Sequence, residues 1–363
     1  MPLLSAQSTF NDPITLGPNA TILKDGKSLH AIGVNFFDCF LRLLKNPDDL
    51  SCESGFKTLS DYHIPFVRFC ATGFWPSDMR LFQTNRAEYF RRLDLVVRSA
   101  EKYNIGLVPS LFWNFSCVPD LVGEPMDQWG NPGSKTLNWM REYVRAVVTR
   151  YRNSRAIWAW EFGNEFNLAA SLPNAKEHRP WIHTTLGTPS SRSNRDDLTF
   201  SMVRIATGEF AKAVRIYDSR RLIVSGDSSP RLSAWHNEHE NGWVKDTKEQ
   251  FQDIIEKGNP DPITGISMHV YEDDDQRLEW AVEVSKRMNK PLFVGEFGAE
   301  GTSPEQSAKF HRLLKAIIDY QIPLAAVWVF DLSSQPDYTI LPGTPRSYQL
   351  EEIGAWDQAH AEP

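Results

Sequence analysis

The stretch Ala156–Asn167, AIWAWEFGNEFN, is an apolar run that ends abruptly in polar residues. The apolar part is too short for a helix and nearly continuous in character. That is what a β-strand covered on both faces looks like. The turn-forming Gly163-Asn164 then opens the chain into a loop, and a glutamate, Glu165, sits where strand becomes loop. The whole chain repeats this grammar: a short apolar run, a polar stretch rich in glycine or proline, then an amphipathic segment.

Three runs precede it: Ala31–Phe37, Pro65–Cys70 and Gly106–Phe112. Four follow: Leu222–Gly226, Thr264–Met268, Pro291–Glu296 and Ala325–Phe330. Between them, apolar residues spaced by three and four predict helices over Ser51–Tyr62, Glu88–Tyr103, Leu137–Tyr151, Leu198–Tyr217, Gln276–Met288 and Glu305–Tyr320. Ser303-Pro304-Glu305-Gln306 has the N-cap serine and first-turn proline of a helix start. Lys248–Lys257 supplies the less distinct helix after the fifth run. Eight strands alternating with helices predict an α/β fold, a (β/α)8 TIM barrel. A doubly wound sheet is the alternative, but no glycine-rich phosphate loop follows the first run. Thr21–Leu29 reads as an N-terminal hairpin around Asp25-Gly26, placed to plug the barrel bottom. No linker divides the 363 residues, so a single catalytic domain over 1–363 is expected, with its barrel core at about 31–330.

The segments after the third, fourth, fifth and eighth runs are long, and barrel active sites are built from such loops. Formal charge is −7 with Lys+Arg at 39, which gives no footprint for nucleic acid or an anionic membrane surface. No stretch approaches membrane-spanning length. The N-terminus lacks a basic region and a long apolar core, so the chain reads as cytoplasmic as written, with a secreted mature form as the alternative. Cys39, Cys52, Cys70 and Cys117 lack CxxC spacing, leaving buried thiols or a single bridge. The compositional oddity is 12 Trp. Trp75, Trp113, Trp129, Trp181, Trp235, Trp243 and Trp328 fall at strand ends or in the loops above them, more indoles than core filling alone calls for.

Glu165 has a counterpart in Glu296, which ends the seventh run in Phe293–Gly298, FVGEFG. A carboxylate at a strand end is costly to desolvate unless it is paired or at work. The ends of strands four and seven face each other across a barrel mouth. Hydrolysing a glycosidic bond with retention takes two carboxyl groups about 5–5.5 Å apart. On these motifs the chain resembles the clan A retaining glycoside hydrolases with (β/α)8 barrels, and most of all family 5, the cellulase and mannanase family. The resemblance implies that Glu165, in Asn164-Glu165, is the acid/base and Glu296 the nucleophile. It further implies that Arg68 contacts the nucleophile, that His269-Val270-Tyr271 follows strand six as a supporting motif, and that Trp328 floors the sugar site.

Asn164 then has an amide for a sugar 2-hydroxyl, Tyr271 a hydroxyl for the nucleophile, and His269 a ring for a sugar hydroxyl or Glu165. Arg68 should lower the pKa of Glu296, while apolar walls or the Glu296 charge should raise that of Glu165. Bland readings stand beside these: Arg68 in a barrel-interior salt bridge, His269 as a core histidine, Trp328 as packing. Trp113, Trp235 and Trp243 complete the expected substrate-binding set. The chain departs from the family where Phe166 replaces the usual proline, and where strand three reads VPSLFWNF, closer to the mannanase branch. Sugar, linkage, endo or exo action and oligomeric state stay open.

The expected activity is a retaining β-glycoside hydrolase acting on β-linked glucosides, mannosides or their oligosaccharides without a cofactor. A transglycosylase or a non-hydrolytic carbohydrate-binding barrel is the alternative. His236 and His239 in Trp235–Trp243 lack HExxH spacing and read as a solvated or substrate-lining loop. The acidic run 272–275 reads as a solvated loop and helix start rather than a calcium site. Asp38, Asp227 and Asp331 are strand-end residues that either meet sugar hydroxyls or cap helices.

Overall fold

The computed structural model describes residues 14–271 and 275–360. The N-terminal segment read for a leader and most of the acidic run lie outside these residues. Barrel strands one to eight are Ala31–Asn35, Phe66–Cys70, Gly106–Phe112, Ala159–Gly163, Leu222–Val224, Ile266–Val270, Leu292–Phe297 and Leu324–Val327. They form one parallel sheet in sequential order, with strand eight beside strand one. Strands five and six are joined outside the ladder, where Ile223 O accepts from the amides of Thr264 and Gly265, both at 3.0 Å. The fold is therefore a (β/α)8 barrel. Among the described residues, no helix is long and apolar enough to cross a membrane.

The helices form where periodicity and capping place them. Ser303 accepts from the Gln306 amide, and Thr247 with Gln250 makes a reciprocal capping box that starts Lys248–Gly258. All four cysteines are buried and free. At the barrel bottom the expected hairpin, Ile22–Lys24 with Lys27–Ser28, gains a third strand, Ile14–Leu16. Ile14 and Ile22 pack on the inward-facing Phe66, Val108, Trp158, Leu222, Phe293 and Leu324, which seals that end with apolar surface.

Two expectations need correction. The segment after strand eight is not all loop, because Tyr348–His360 is the closing helix. Its buried face mixes Gln349 and Asp357 with Leu350 and Ile353, so no apolar stripe marks it in the sequence. The Trp235–Trp243 segment is also largely helical, over Ala234–Glu240, with the His236 ring bonded to Asp246 at 2.8 Å.

Asp357 Oδ1 accepts the Ile32 amide at 3.0 Å, while its Oδ2 is buried without a partner. Burial raises this carboxyl to about 8, opposed by the Ile32 bond and Lys24. In the unfolded chain it ionises near 3.8. Folding therefore holds a proton between those values, and this contribution to stability is lost as pH rises from about 4 to 8. Asp357→Asn keeps the acceptor and removes the ionisation. Thermal melts should show the variant gaining about 5 kcal/mol over the parent at pH 8, and little at pH 4.5. A pH-independent difference would refute this account.

Candidate active site

Arg68 rises from strand two into the centre of the barrel mouth, its side chain fully buried. Its Nε donates to Glu161 Oε1 and Oε2 at 2.8 and 2.9 Å. Nη1 donates to Glu296 Oε1 at 2.8 Å and to Asn35 Oδ1 at 3.0 Å, and Nη2 to Asn164 Oδ1 at 2.7 Å. Both readings of Arg68 thus hold at once: it is a barrel-interior salt bridge, to Glu161, and it contacts Glu296. Because Asn164 spends its oxygen on Arg68, its amide NH2 is left to face the cleft.

Glu296 is set by a kink in its strand. Val294 pairs with Met268 but Glu296 pairs with His269, so the register shifts around Gly295. A Cβ on Gly295 would lie 2.8 Å from His269 Nε2, so only glycine lets the strand and the ring approach this closely. Tyr271 donates its hydroxyl to Glu296 Oε2 at 2.6 Å. Burial, then the neighbouring Glu296, keeps this phenol protonated far above its usual range.

Glu165 stands at φ +55°, a left-handed conformation that costs a non-glycine residue about 1–3 kcal/mol. Its amide donates to Gly226 O at 2.8 Å. Gly226 approaches so closely that a Cβ there would sit 1.9 Å from Gly163 O. Asn167 clamps the same two loops, exchanging bonds with the amide and carbonyl of Ser228 at 3.0 and 2.8 Å. The result brings an oxygen of Glu165, an oxygen of Glu296 and a nitrogen of His269 within 4.8 Å of one another.

His269 Nδ1 lies 2.9 Å from Glu165 Oε1, while its buried Nε2 has no partner. This contact reverses an expectation. Burial pushes the Glu165 carboxyl up, but the His269 bond and charge, then Ser228 and Arg68, more than cancel it and leave the pKa lowered. Glu296 runs the other way: burial raises it against His269 and Arg68, with the Glu165 charge adding to the rise. Glu165, His269 and Glu296 form the one trio of metal-ligand type among the described residues. A divalent ion there would meet the fixed positive charge of Arg68, already 2.8 Å from Glu296.

The cleft above these groups has two lobes. The larger, about 770 Å³, is lined by Glu296, His269, Tyr271 and Trp328 among others. The smaller, about 410 Å³, runs past Trp75, Asn114 and the 177–181 segment. Asn164, Glu165, Trp113, Trp181 and Arg231 line both. Trp113 lies under the Arg68 guanidinium at 4.3 Å and stacks on Trp328, which donates to Gln335 at 2.7 Å.

Other tryptophans fall elsewhere. Trp235 stacks on His239 at 4.3 Å on its own helix, and Trp243 is exposed at the surface; neither lines the cleft, contrary to expectation. Trp129 is core, bonded to Phe115 O. Asp38 and Asp331 are engaged by Arg42, and Asp227 is buried, which raises it to about 7. Glu161 was legible only as a carboxylate inside an apolar strand, and the partner that explains it comes from strand two.

Residues 58–331 match the model of the cellulase family, glycosyl hydrolase family 5. A segment of 161 residues is 33% identical to mannan endo-1,4-beta-mannosidase A of Hypocrea jecorina, over 39% of this chain and 36% of that protein. The chain thus spans about a third of that relative's length. The endo-1,4-beta-mannanase from Rhizomucor miehei superposes with a TM-score of 0.70 at 15% identity, covering 95% of this chain and 99% of that one. A beta-glucanase from Saccharophagus degradans superposes at 0.60 and 16% identity, over 94% and 93%.

Two substitutions test this network. Arg68→Met leaves Glu161 and Glu296 buried without their cation, and should cost about 3–5 kcal/mol in chemical denaturation. His269→Ala removes what holds Glu165 down, so the Glu165 carboxyl should titrate at higher pH. A ¹³C NMR titration of the glutamate carboxyls reads this directly; an unmoved or lower Glu165 midpoint would contradict it.

Proposed function

We propose that this chain, which belongs to glycosyl hydrolase family 5, is a retaining β-glycoside hydrolase acting on β-mannosidic oligosaccharides. The observation that carries the reading is the approach of Glu165 and Glu296 within 4.8 Å at the floor of one cleft. Retention needs carboxyl groups about 5–5.5 Å apart, whereas inversion leaves about 6.5–9.5 Å for a water. Mannose is favoured over glucose as the bound sugar because the related sequence with the stated identity is a mannan endo-1,4-beta-mannosidase.

Glu296, oriented by Arg68 and Tyr271, attacks the anomeric carbon while Glu165 protonates the departing oxygen. The bond to the leaving group breaks as the bond to Glu296 forms, giving a glycosyl ester. Glu165, now a carboxylate, takes a proton from water, and the resulting hydroxide displaces Glu296 with a second inversion. The amide of Asn164 donates to the sugar 2-hydroxyl, a bond that strengthens as positive charge develops on the ring. Trp328 and Trp113 supply the apolar face under that ring. No step draws on a metal or cofactor.

Glu296→Ala should lower kcat on aryl β-mannosides by several orders of magnitude, about 10⁴-fold or more. Added azide should restore turnover and yield the α-glycosyl azide, identified by NMR. Wild-type rates in that variant would sink the assignment. Glu165→Ala should slow substrates with poor leaving groups far more than 2,4-dinitrophenyl glycosides; equal losses would remove its acid role. A panel of aryl β-mannosides, aryl β-glucosides, mannan and mixed-linkage glucan decides the sugar.

A further inference from the structure

Among the arginines that line the cleft or lie beneath it, Arg231 is in a different state from the rest. Arg68 is saturated by Glu161, Glu296, Asn35 and Asn164. Arg179 is chelated by Asp197, with Nε and Nη2 at 2.5 and 3.1 Å. Arg277 is buried, donates to Pro230 O and lies over Phe251 at 4.6 Å. Arg231 is half-buried on the loop after strand five, and its Nε donates to Leu168 O at 2.7 Å. Among the described residues, no carboxylate pairs with it and neither Nη has an acceptor.

Its position gives that state a meaning. Arg231 and Trp181 line both lobes, at the seam where Glu165 also stands. Glu296 lines only the larger lobe, so the sugar under attack sits there and the leaving group extends into the smaller one. Trp181 is 71% exposed on a segment that the structure holds firmly. The Trp181 carbonyl accepts from Arg192, whose guanidinium is bound bidentately by Asp120 at 2.6 and 2.8 Å. A flat apolar platform and an unpaired cation therefore meet where the leaving group begins.

Tying Nε to a carbonyl leaves the two-nitrogen edge of the guanidinium free, and that edge matches a carboxylate bidentately. The other charged groups of the smaller lobe do not supply the missing anion. Glu177 is engaged by Asn174 at 2.8 Å, and Glu165 by His269. Resting on the β-glycosidase reading, we propose that Arg231 selects a leaving group bearing a carboxylate, such as a uronate or an acidic aglycone, whose ring lies on Trp181.

Non-hydrolysed aryl 1-thio-β-mannosides test this without turnover. One carries a meta-carboxylate on the aryl ring and its partner the matching carboxamide, and calorimetric titration of the wild-type protein gives both Kd values. The carboxylate should bind about tenfold tighter at low salt. The ratio should fall towards one in Arg231→Gln, shrink in 0.5 M salt and be partly kept in Arg231→Lys. Equal affinities, failure of either compound to bind, or a ratio that survives Arg231→Gln would overturn the proposal. The O-glycoside pair, run alongside, separates the two readings. Selective binding of the thioglycosides with no hydrolysis of either O-glycoside refutes the hydrolase alone, whereas hydrolysis of both with equal affinities refutes only the role of Arg231.

Discussion

A guanidinium with no exposed surface is the constraint on which the barrel mouth depends. Arg68 cannot be left uncompensated, and its acceptors come from strand one (Asn35), strand seven (Glu296) and strand four with its following loop (Glu161, Asn164). One cation thereby fixes the relative height of four strands. It stands between two carboxylates, so the cluster carries excess negative charge. Donation from Tyr271 to Glu296 offsets that excess. The two bare readings of Arg68, structural and functional, are the same physical fact seen from Glu161 and from Glu296.

The second requirement is backbone approach. Gly295 admits the His269 ring beside strand seven, and Gly226 admits the carbonyl of Gly163. Glu165 then takes a left-handed turn that the strand end would otherwise avoid. Strain of about 1–3 kcal/mol at one residue is affordable because the Gly226 bond and the Asn167–Ser228 clamp over-determine the loop.

How much of this the sequence disclosed follows from the range of the interactions. Strands covered on both faces announce themselves as continuous apolar runs, and a glutamate ending such a run is conspicuous, so the barrel and the pair Glu165 and Glu296 were legible. Tyr348–His360 was not, because its buried face includes Gln349 and Asp357. Glu161 needed knowledge of which strand faces strand two. Trp235 and Trp243 matched the right loops, but whether an indole enters the cleft depends on the local helix that carries Trp235 and on the exposed turn after it. Trp181, named among the loop tryptophans from the sequence, does line the cleft, whereas Arg231 sits in a loop anchored on Leu168 O, which is remote in sequence.

The inverted order of the two glutamates follows from the same electrostatics. Glu165 keeps 29% of its side chain in solvent and is stabilised as an anion by His269, whereas Glu296 is nearly sealed. In the proposed mechanism, a substrate with one ring over Trp328 and the next over Trp181 would cover the exposed edge of Glu165, and loss of water disfavours its charged form. Glu296 gains nothing comparable, since it is already dry. In the proposed mechanism, binding would therefore move Glu165 towards the protonated state an acid needs. Esterification of Glu296 would then remove the negative charge beside it, so the same His269 bond that opposes protonation at rest would support Glu165 as a carboxylate for the second step.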